Sequence, residues 1–143
     1  MRIAQTDSTH QTVLIVENEV LVRHALAEYL RGCGFSVVET ATALEAKTVM
    51  QRGPGIDVML ADAGVADGEG GFALAQWTRR YRPGVTVVMT STLANKSEAV
   101  AGLCGKHHPS PPAASFLRDR IQAMRARPKG GARTGNASKR AKG

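Results

Sequence analysis

The chain has 143 residues, 43% of them hydrophobic, which is the length of one domain and the composition of an ordinary globular protein. No apolar run approaches the roughly 18 residues of a membrane span, and the polar residues 1–11 lack a secretory signal, so we expect a cytoplasmic protein. Seven of the 19 basic residues lie in 125–143, where no acidic residue occurs, so the net charge of +7 belongs to that end and the remainder is balanced.

Short β-rich runs alternate with helical patterns along the chain, which predicts parallel α/β construction. Four strands are predicted, at 13–16, 35–39, 56–61 and 85–89. A helix with one apolar stripe follows residue 19, and a second begins after Thr42, with Glu45 in the capping-box position. A third helix is predicted over 72–81.

The C-terminal part predicts a short helix over 97–103, a weak fifth strand around Leu103 and Cys104, and a last helix opened by Pro111 or Pro112. Five β–α pairs indicate an α/β fold with a doubly wound, five-stranded parallel sheet. We expect Cys33 in a turn and Cys104 in the core, forming neither a disulfide framework nor a metal-binding pair. The predicted domains are a flexible N-terminus at 1–10, a folded domain at 11–126 and a disordered basic tail at 127–143.

Polar residues follow three of the predicted strands, at the sheet edge where open parallel sheets bind ligands. Glu17 and Asn18 follow the first strand, Asp62 ends the third, and a hydroxyl pair, Thr90 and Ser91, follows the fourth. The oxygens of Glu17, Asn18 and Asp62 suit Mg²⁺ with several retained waters. The hydroxyls could hydrogen-bond a phosphoryl group, and Lys106 could place a positive charge on it.

Three segments of the chain resemble the receiver domains of response regulators in two-component signal transduction. They are "VLIVENE" at 13–19, "IDVMLADAGVADGEGGFALA" at 56–75 and "VTVVMTS" at 85–91. The likeness covers roughly residues 11–126 and implies a flavodoxin-like (βα)5 fold. It also implies that Asp62 is the phosphoacceptor, that Glu17 and Asn18 hold the acidic-pair positions, and that the backbone carbonyl of Gly64 is a further Mg²⁺ ligand.

For the remaining family positions, the resemblance makes Ser91 the hydroxyl residue, or Thr90 if the register shifts by one. Lys106 is the candidate for the family's lysine. The chain departs from the family pattern because Asn18 is a carboxamide where an acid is usual, and because His107 follows Lys106 where a proline is usual. With these departures, the resemblance predicts a competent N-terminal half of the site and a degenerate C-terminal half.

The resemblance implies a stand-alone phosphorelay receiver, a self-phosphorylating switch rather than a turnover enzyme. A histidine kinase or phosphotransfer protein would supply the phosphoryl group to Asp62, with Mg²⁺ as cofactor, and the product would signal to a downstream protein target, with homodimerisation left open. The alternative is a pseudo-receiver, a binding or dimerisation module with the same fold that is not phosphorylated. A nucleic-acid-binding protein led by the tail is a third hypothesis; the neutral body argues against it, and we expect neither specific nucleic-acid nor membrane binding.

Overall fold

The computed structural model describes residues 11–65, 70–105 and 112–126, and within these ranges the chain forms four strands and five helices. The strands are β1 Thr12–Val16, β2 Ser36–Thr40, β3 Val58–Asp62 and β4 Thr86–Thr90. The helices are α1 Val20–Gly32, α2 Ala43–Arg52, α3 Gly70–Tyr81, α4 Leu93–Cys104 and α5 Ala113–Ala126. The predicted N-terminus at 1–10, Lys106 and the predicted tail at 127–143 lie outside the described residues. None of the described helices has the length and apolar character needed to cross a membrane.

The four strands form one parallel sheet in the order β2-β1-β3-β4. Strands β1 and β3 lie in the middle, and four of the five residues in each are buried, as their continuous apolar sequences predict. The α/β class with a doubly wound parallel sheet is therefore confirmed.

Helices cover both faces of the sheet because alternate strand residues point to opposite sides. One apolar cluster joins the sheet to α1, α4 and α5, and its strand residues include Val13, Ile15, Val58 and Leu60. The other joins the sheet to α2 and α3, and its strand residues include Leu14, Val16, Met59 and Ala61. We refer to these two sides as the α1 face and the α3 face.

Two predicted helix starts are supported by their local hydrogen bonds. Thr42 Oγ1 accepts a hydrogen bond from Glu45 N at 3.1 Å, and Glu45 Oε1 accepts one from Ala41 N at 2.7 Å. This reciprocal arrangement is the capping box that the sequence indicated for α2. Helix α5 begins directly after Pro112, whose carbonyl accepts a hydrogen bond from Phe116 N.

The placement of a fifth strand around Leu103 and Cys104 was wrong, because both residues end α4. This helix begins at Leu93 rather than Ser97, and Thr92 caps it by accepting a hydrogen bond from Asn95 N at 3.0 Å. Val100, Leu103 and Cys104 lie at helical spacing against the α1-face cluster. Apolar residues that suggested a strand therefore form one side of a helix, and the sheet has four strands among the described residues.

Cys33 lies in a turn and Cys104 packs against the core as expected, but the expectation of no disulfide was wrong, because Cys33 and Cys104 form one. Cys33 is the C-cap residue of α1 and Cys104 is the last residue of α4, so the bond joins the C-terminal ends of two neighbouring helices. Their Cα atoms lie 5.7 Å apart, although 71 positions separate them in sequence. No spacing rule connects cysteines that far apart, and the contact depends on how α4 packs beside α1.

Candidate functional site

Three polar side chains at the carboxyl edge of the sheet project from the α1 face. Glu17 follows β1, Asp62 ends β3, and Thr90 ends β4 directly opposite Asp62 in the strand register. Each lies two residues beyond an apolar residue that packs on the α1 face: Ile15, Leu60 and Val88. Since side chains alternate along a strand, all three polar residues are directed toward α1 and α4.

Lys96, in the first turns of α4, lies between the two carboxylates. Its Nζ is 2.7 Å from Glu17 Oε1 and 2.9 Å from Asp62 Oδ1. The side chains of Lys96, Glu17 and Asp62 are 8%, 3% and 14% exposed, so the three charges are largely shielded from water. Ion pairs with this little solvent are strongly coupled, and the loss of one member leaves the others without compensation.

Lys96 is held charged by these neighbours. Burial alone would lower its pKa, but the close contacts and negative charges of Glu17 and Asp62 outweigh burial and raise the pKa above the usual 10.5. A lysine near the N-terminus of a helix is disfavoured by the helix dipole. The two carboxylates therefore account for a cation at a position that helix formation does not favour.

The remaining carboxylate oxygens are fixed by the adjacent backbone. Glu17 Oε2 accepts a hydrogen bond from Glu19 N at 3.2 Å, and Asp62 Oδ2 accepts one from Gly64 N at 3.0 Å. These bonds leave Glu17 Oε1 and Asp62 Oδ1 directed at the same ammonium. Glu17 Oε1 is buried and has no hydrogen-bond donor at a good angle among the described residues, so its contact with Lys96 is an ion pair of close approach.

The other predicted residues are placed less centrally. Asn18 is exposed and makes no hydrogen bond or ion pair with the described residues. Ser91 is exposed, and its hydroxyl and backbone N–H both donate to Asn95 Oδ1 at 3.1 Å. Thr90 is buried, and its hydroxyl donates a long 3.4 Å bond to the carbonyl of Ala61. Of the two hydroxyl candidates, Thr90 is the one on the same face as Asp62.

The donor set fits a small divalent cation such as Mg²⁺. Glu17 Oε1 and Asp62 Oδ1 converge on one cationic atom, and the first of them is buried without a directed hydrogen bond. The described residues contain no group of three acidic, histidine or cysteine side chains that could hold a metal. A cation would therefore use the two carboxylates, with neutral oxygens and waters completing the shell, an arrangement that Mg²⁺ accepts.

Lys96 is the residue that the sequence interpretation missed. The predicted helix began at Ser97 and did not include Lys96, and the candidate lysine was Lys106, which lies outside the described residues. The available signal is helical spacing. Lys96 lies four residues before Val100 and so shares its buried side of α4.

Comparisons with known proteins find relatives of the same fold. The family model described as "Response regulator receiver domain" matches residues 13–106. A CheY-like receiver domain protein from Methanospirillum hungatei JF-1 superposes with a TM-score of 0.55 at 19% identity, covering 80% of this chain and 96% of that one. Chemotaxis response regulator CheY4 of Vibrio cholerae gives 0.54 at 20% identity, covering 80% and 98%. A response regulator receiver protein from Pseudomonas putida gives 0.51 at 26% identity, covering 66% and 79%.

Among proteins with curated descriptions, none matches this chain. The family match nevertheless spans most of the chain and coincides with the folded elements that carry Glu17, Asp62 and Lys96. The chain belongs to the response regulator receiver domain family.

Proposed function

We propose that this receiver domain accepts a phosphoryl group on Asp62 and signals by contact with other proteins. The observation that carries the proposal is the shared position of Glu17, Asp62 and Lys96 at the carboxyl edge of the sheet. A structural aspartate at a strand end does not require a second buried carboxylate and a buried lysine beside it. Such a cluster of shielded charges is typical of a site that handles an incoming charged group.

In the proposed reaction an oxygen of the Asp62 carboxylate attacks the phosphorus of a phosphohistidine or a small acyl phosphate. The bond from phosphorus to the leaving nitrogen or oxygen breaks, and its electron pair stays with the leaving group. The product is an aspartyl phosphate that carries close to two negative charges. Mg²⁺, held by Glu17 and Asp62 with Asn18 and the Gly64 carbonyl as candidate neutral ligands, would neutralise charge on the phosphoryl oxygens.

Lys96 takes the role that the sequence interpretation assigned to Lys106. Its ammonium is charged and already touches Asp62, so a small movement of the side chain brings it from Asp62 Oδ1 to an oxygen of the incoming phosphoryl group. Thr90 lies opposite Asp62 and supplies the hydroxyl on that face. Both residues would follow the new charge, and α4 would move with Lys96.

The proposed setting is the cytoplasm. A histidine kinase or phosphotransfer protein donates the phosphoryl group, and a downstream protein, or a second copy of the chain, reads the changed surface. The role is that of a signalling switch rather than a turnover enzyme. No specific nucleic-acid or membrane binding is proposed.

The test is intact-mass spectrometry of the full chain after incubation with acetyl phosphate and Mg²⁺. We expect a gain of one phosphoryl group that survives acid and is lost in base. The matched variants are Asp62→Asn, which should gain nothing, and Asp57→Asn, which should react like the wild type. Asp57 precedes the same strand at its opposite end, where its carboxylate accepts a hydrogen bond from Thr12 N at 2.8 Å. Failure of the wild type to gain mass would contradict the proposal and favour the pseudo-receiver.

A further inference from the structure

Helix α4 fully buries fewer apolar side chains than α1 or α5. Its buried residues are Lys96, Ser97 and Val100, so one apolar side chain is fully buried on a helix of 12 residues. By comparison, every buried residue of α1 is Ala, Leu or Tyr, and α5 buries Ala113, Leu117 and Ile121. Ala99, Leu103 and Cys104 also pack on the α1-face cluster but are only partly buried. Because apolar burial is the main source of helix attachment, the bonds at the two ends of α4 add to a small apolar contact.

Those two ends are held by different kinds of bond. At the N-terminal end, Lys96 contacts Glu17 and Asp62. At the C-terminal end, Cys104 is bonded to Cys33 of α1. The bond lies near the surface, since both cysteines are only half-buried and the neighbouring Gly34 and Gly105 are exposed. We therefore expect a small dithiol to reach it.

We propose that the Cys33–Cys104 disulfide is a redox-controlled tether of α4, and that its state sets how firmly Lys96 is held against Asp62. The consequence for signalling and the reducing setting rest on the proposed function, whereas the bond between α1 and α4 does not. Disulfides in a reducing cytoplasm are mostly transient and redox-sensing, which fits a bond that secures a weakly attached helix. Oxidation would fix α4 and Lys96 in place, and reduction would release the C-terminal end.

An external dithiol supplies the two electrons that reduce the disulfide. A thiolate of the dithiol attacks one sulfur of the disulfide, the sulfur–sulfur bond breaks, and the departing sulfur takes up a proton. The second thiol of the reductant then displaces the remaining protein sulfur. The products are two protein thiols and one oxidised dithiol, a transfer of two electrons and two protons.

The test is hydrogen exchange by mass spectrometry on the full chain, oxidised or reduced with dithiothreitol. Peptides from 93–104 should exchange about tenfold or more faster after reduction, while β1 and β3 should be unchanged and serve as the internal control. The double variant Cys33→Ser with Cys104→Ser should match the reduced wild type and should not respond to dithiothreitol. If that variant does not fold, the comparison of oxidised with reduced wild type is enough to test the proposal. Equal exchange of 93–104 in both states, or two free thiols in the oxidised preparation, would overturn the proposal.

A second measurement tests the link to the site without any phosphorylation. The side-chain ammonium of Lys96, assigned by its loss in Lys96→Met, should give a slowly exchanging nitrogen NMR signal in the oxidised chain and a broadened one after reduction. An identical signal in both states would show that the tether does not reach Lys96. If the signal changes but the oxidised chain gains no phosphoryl group, the proposed function fails and the tether stands.

Discussion

Lys96 Nζ lies 2.9 Å from Asp62 Oδ1, which joins helix α4 to the end of the central strand β3. The same ammonium contacts Glu17, so a single cation balances the buried carboxylate of Glu17 and the partly buried carboxylate of Asp62. This contact determines both the stability of the sheet edge and the reactivity that we propose for Asp62.

Replacement of Lys96 by methionine should destabilise the fold, because it leaves the largely shielded carboxylates of Glu17 and Asp62 without a counter-charge. We expect the free energy of unfolding in urea at neutral pH to fall by roughly 3–5 kcal/mol. The control is Arg120→Met, which breaks the exposed ion pair with Glu28 and should have little effect. Similar losses of unfolding free energy in the two variants would mean that the contacts of Lys96 with Glu17 and Asp62 contribute no more than a surface ion pair.

Replacement of Gly71 by alanine should disturb the strand end that carries Asp62. A Cβ at Gly71 would lie 2.5 Å from the carbonyl oxygen of Asp62 and 2.9 Å from Ala63 Cα, and backbone atoms cannot yield easily. We expect a loss of about 1–3 kcal/mol in unfolding free energy, together with slower phosphoryl acceptance. The matched change Gly102→Ala, in α4 with nothing within 4 Å of the new Cβ, should stabilise by about 0.5–1 kcal/mol. An unchanged unfolding free energy in Gly71→Ala would show that α3 can move away from β3.

Replacement of Glu17 by glutamine should weaken the binding of divalent cations. It removes one of the two carboxylates that converge at the site and leaves Asp62 paired with Lys96. Titration with Mn²⁺, followed by electron paramagnetic resonance, should show a dissociation constant raised about tenfold or more. Glu19→Gln is the control, since Glu19 is exposed and makes no side-chain cap bond. Equal affinities for wild type and Glu17→Gln would place the cation elsewhere.

Thr90 and Ser91 can be separated by paired substitutions that remove each hydroxyl. Thr90 faces the same side as Asp62, so Thr90→Val should slow phosphoryl acceptance by roughly fivefold, the effect of one hydrogen bond of about 1 kcal/mol. Ser91 donates to Asn95, so Ser91→Ala should leave the rate unchanged. The initial rate of phosphoryl acceptance from acetyl phosphate measures both effects. A slower rate in Ser91→Ala than in Thr90→Val would identify Ser91 as the hydroxyl residue of the site.

Much of the fold could be predicted because strong local patterns determine it. The continuous apolar sequences of β1 and β3 indicate buried strands, and Thr42 with Glu45 marks the start of α2. The position of Asp62 at a strand end follows from the same patterns. These features depend on a few residues that are neighbours in sequence, so the local sequence is enough to predict them.

Lys96 and the disulfide could not be predicted because both depend on where α4 packs. A lysine early in a helix opposes the helix dipole, and only the neighbouring Glu17 and Asp62 explain it. Leu103 and Cys104 carry the same apolar signal in a short strand as in the last turn of a helix. The contact between Cys33 and Cys104 appears only when α4 lies beside α1.

The shared orientation of Glu17, Asp62 and Thr90 protects the site against errors in strand pairing. If β3 paired one residue out of register, Asp62 would turn toward α3, and Leu60 would exchange sides with Met59 and leave its cluster. A chain that assembled the wrong carboxylate geometry would therefore also fail to bury its interior. The strand register that buries the interior is therefore also the register that turns Glu17 and Asp62 toward each other.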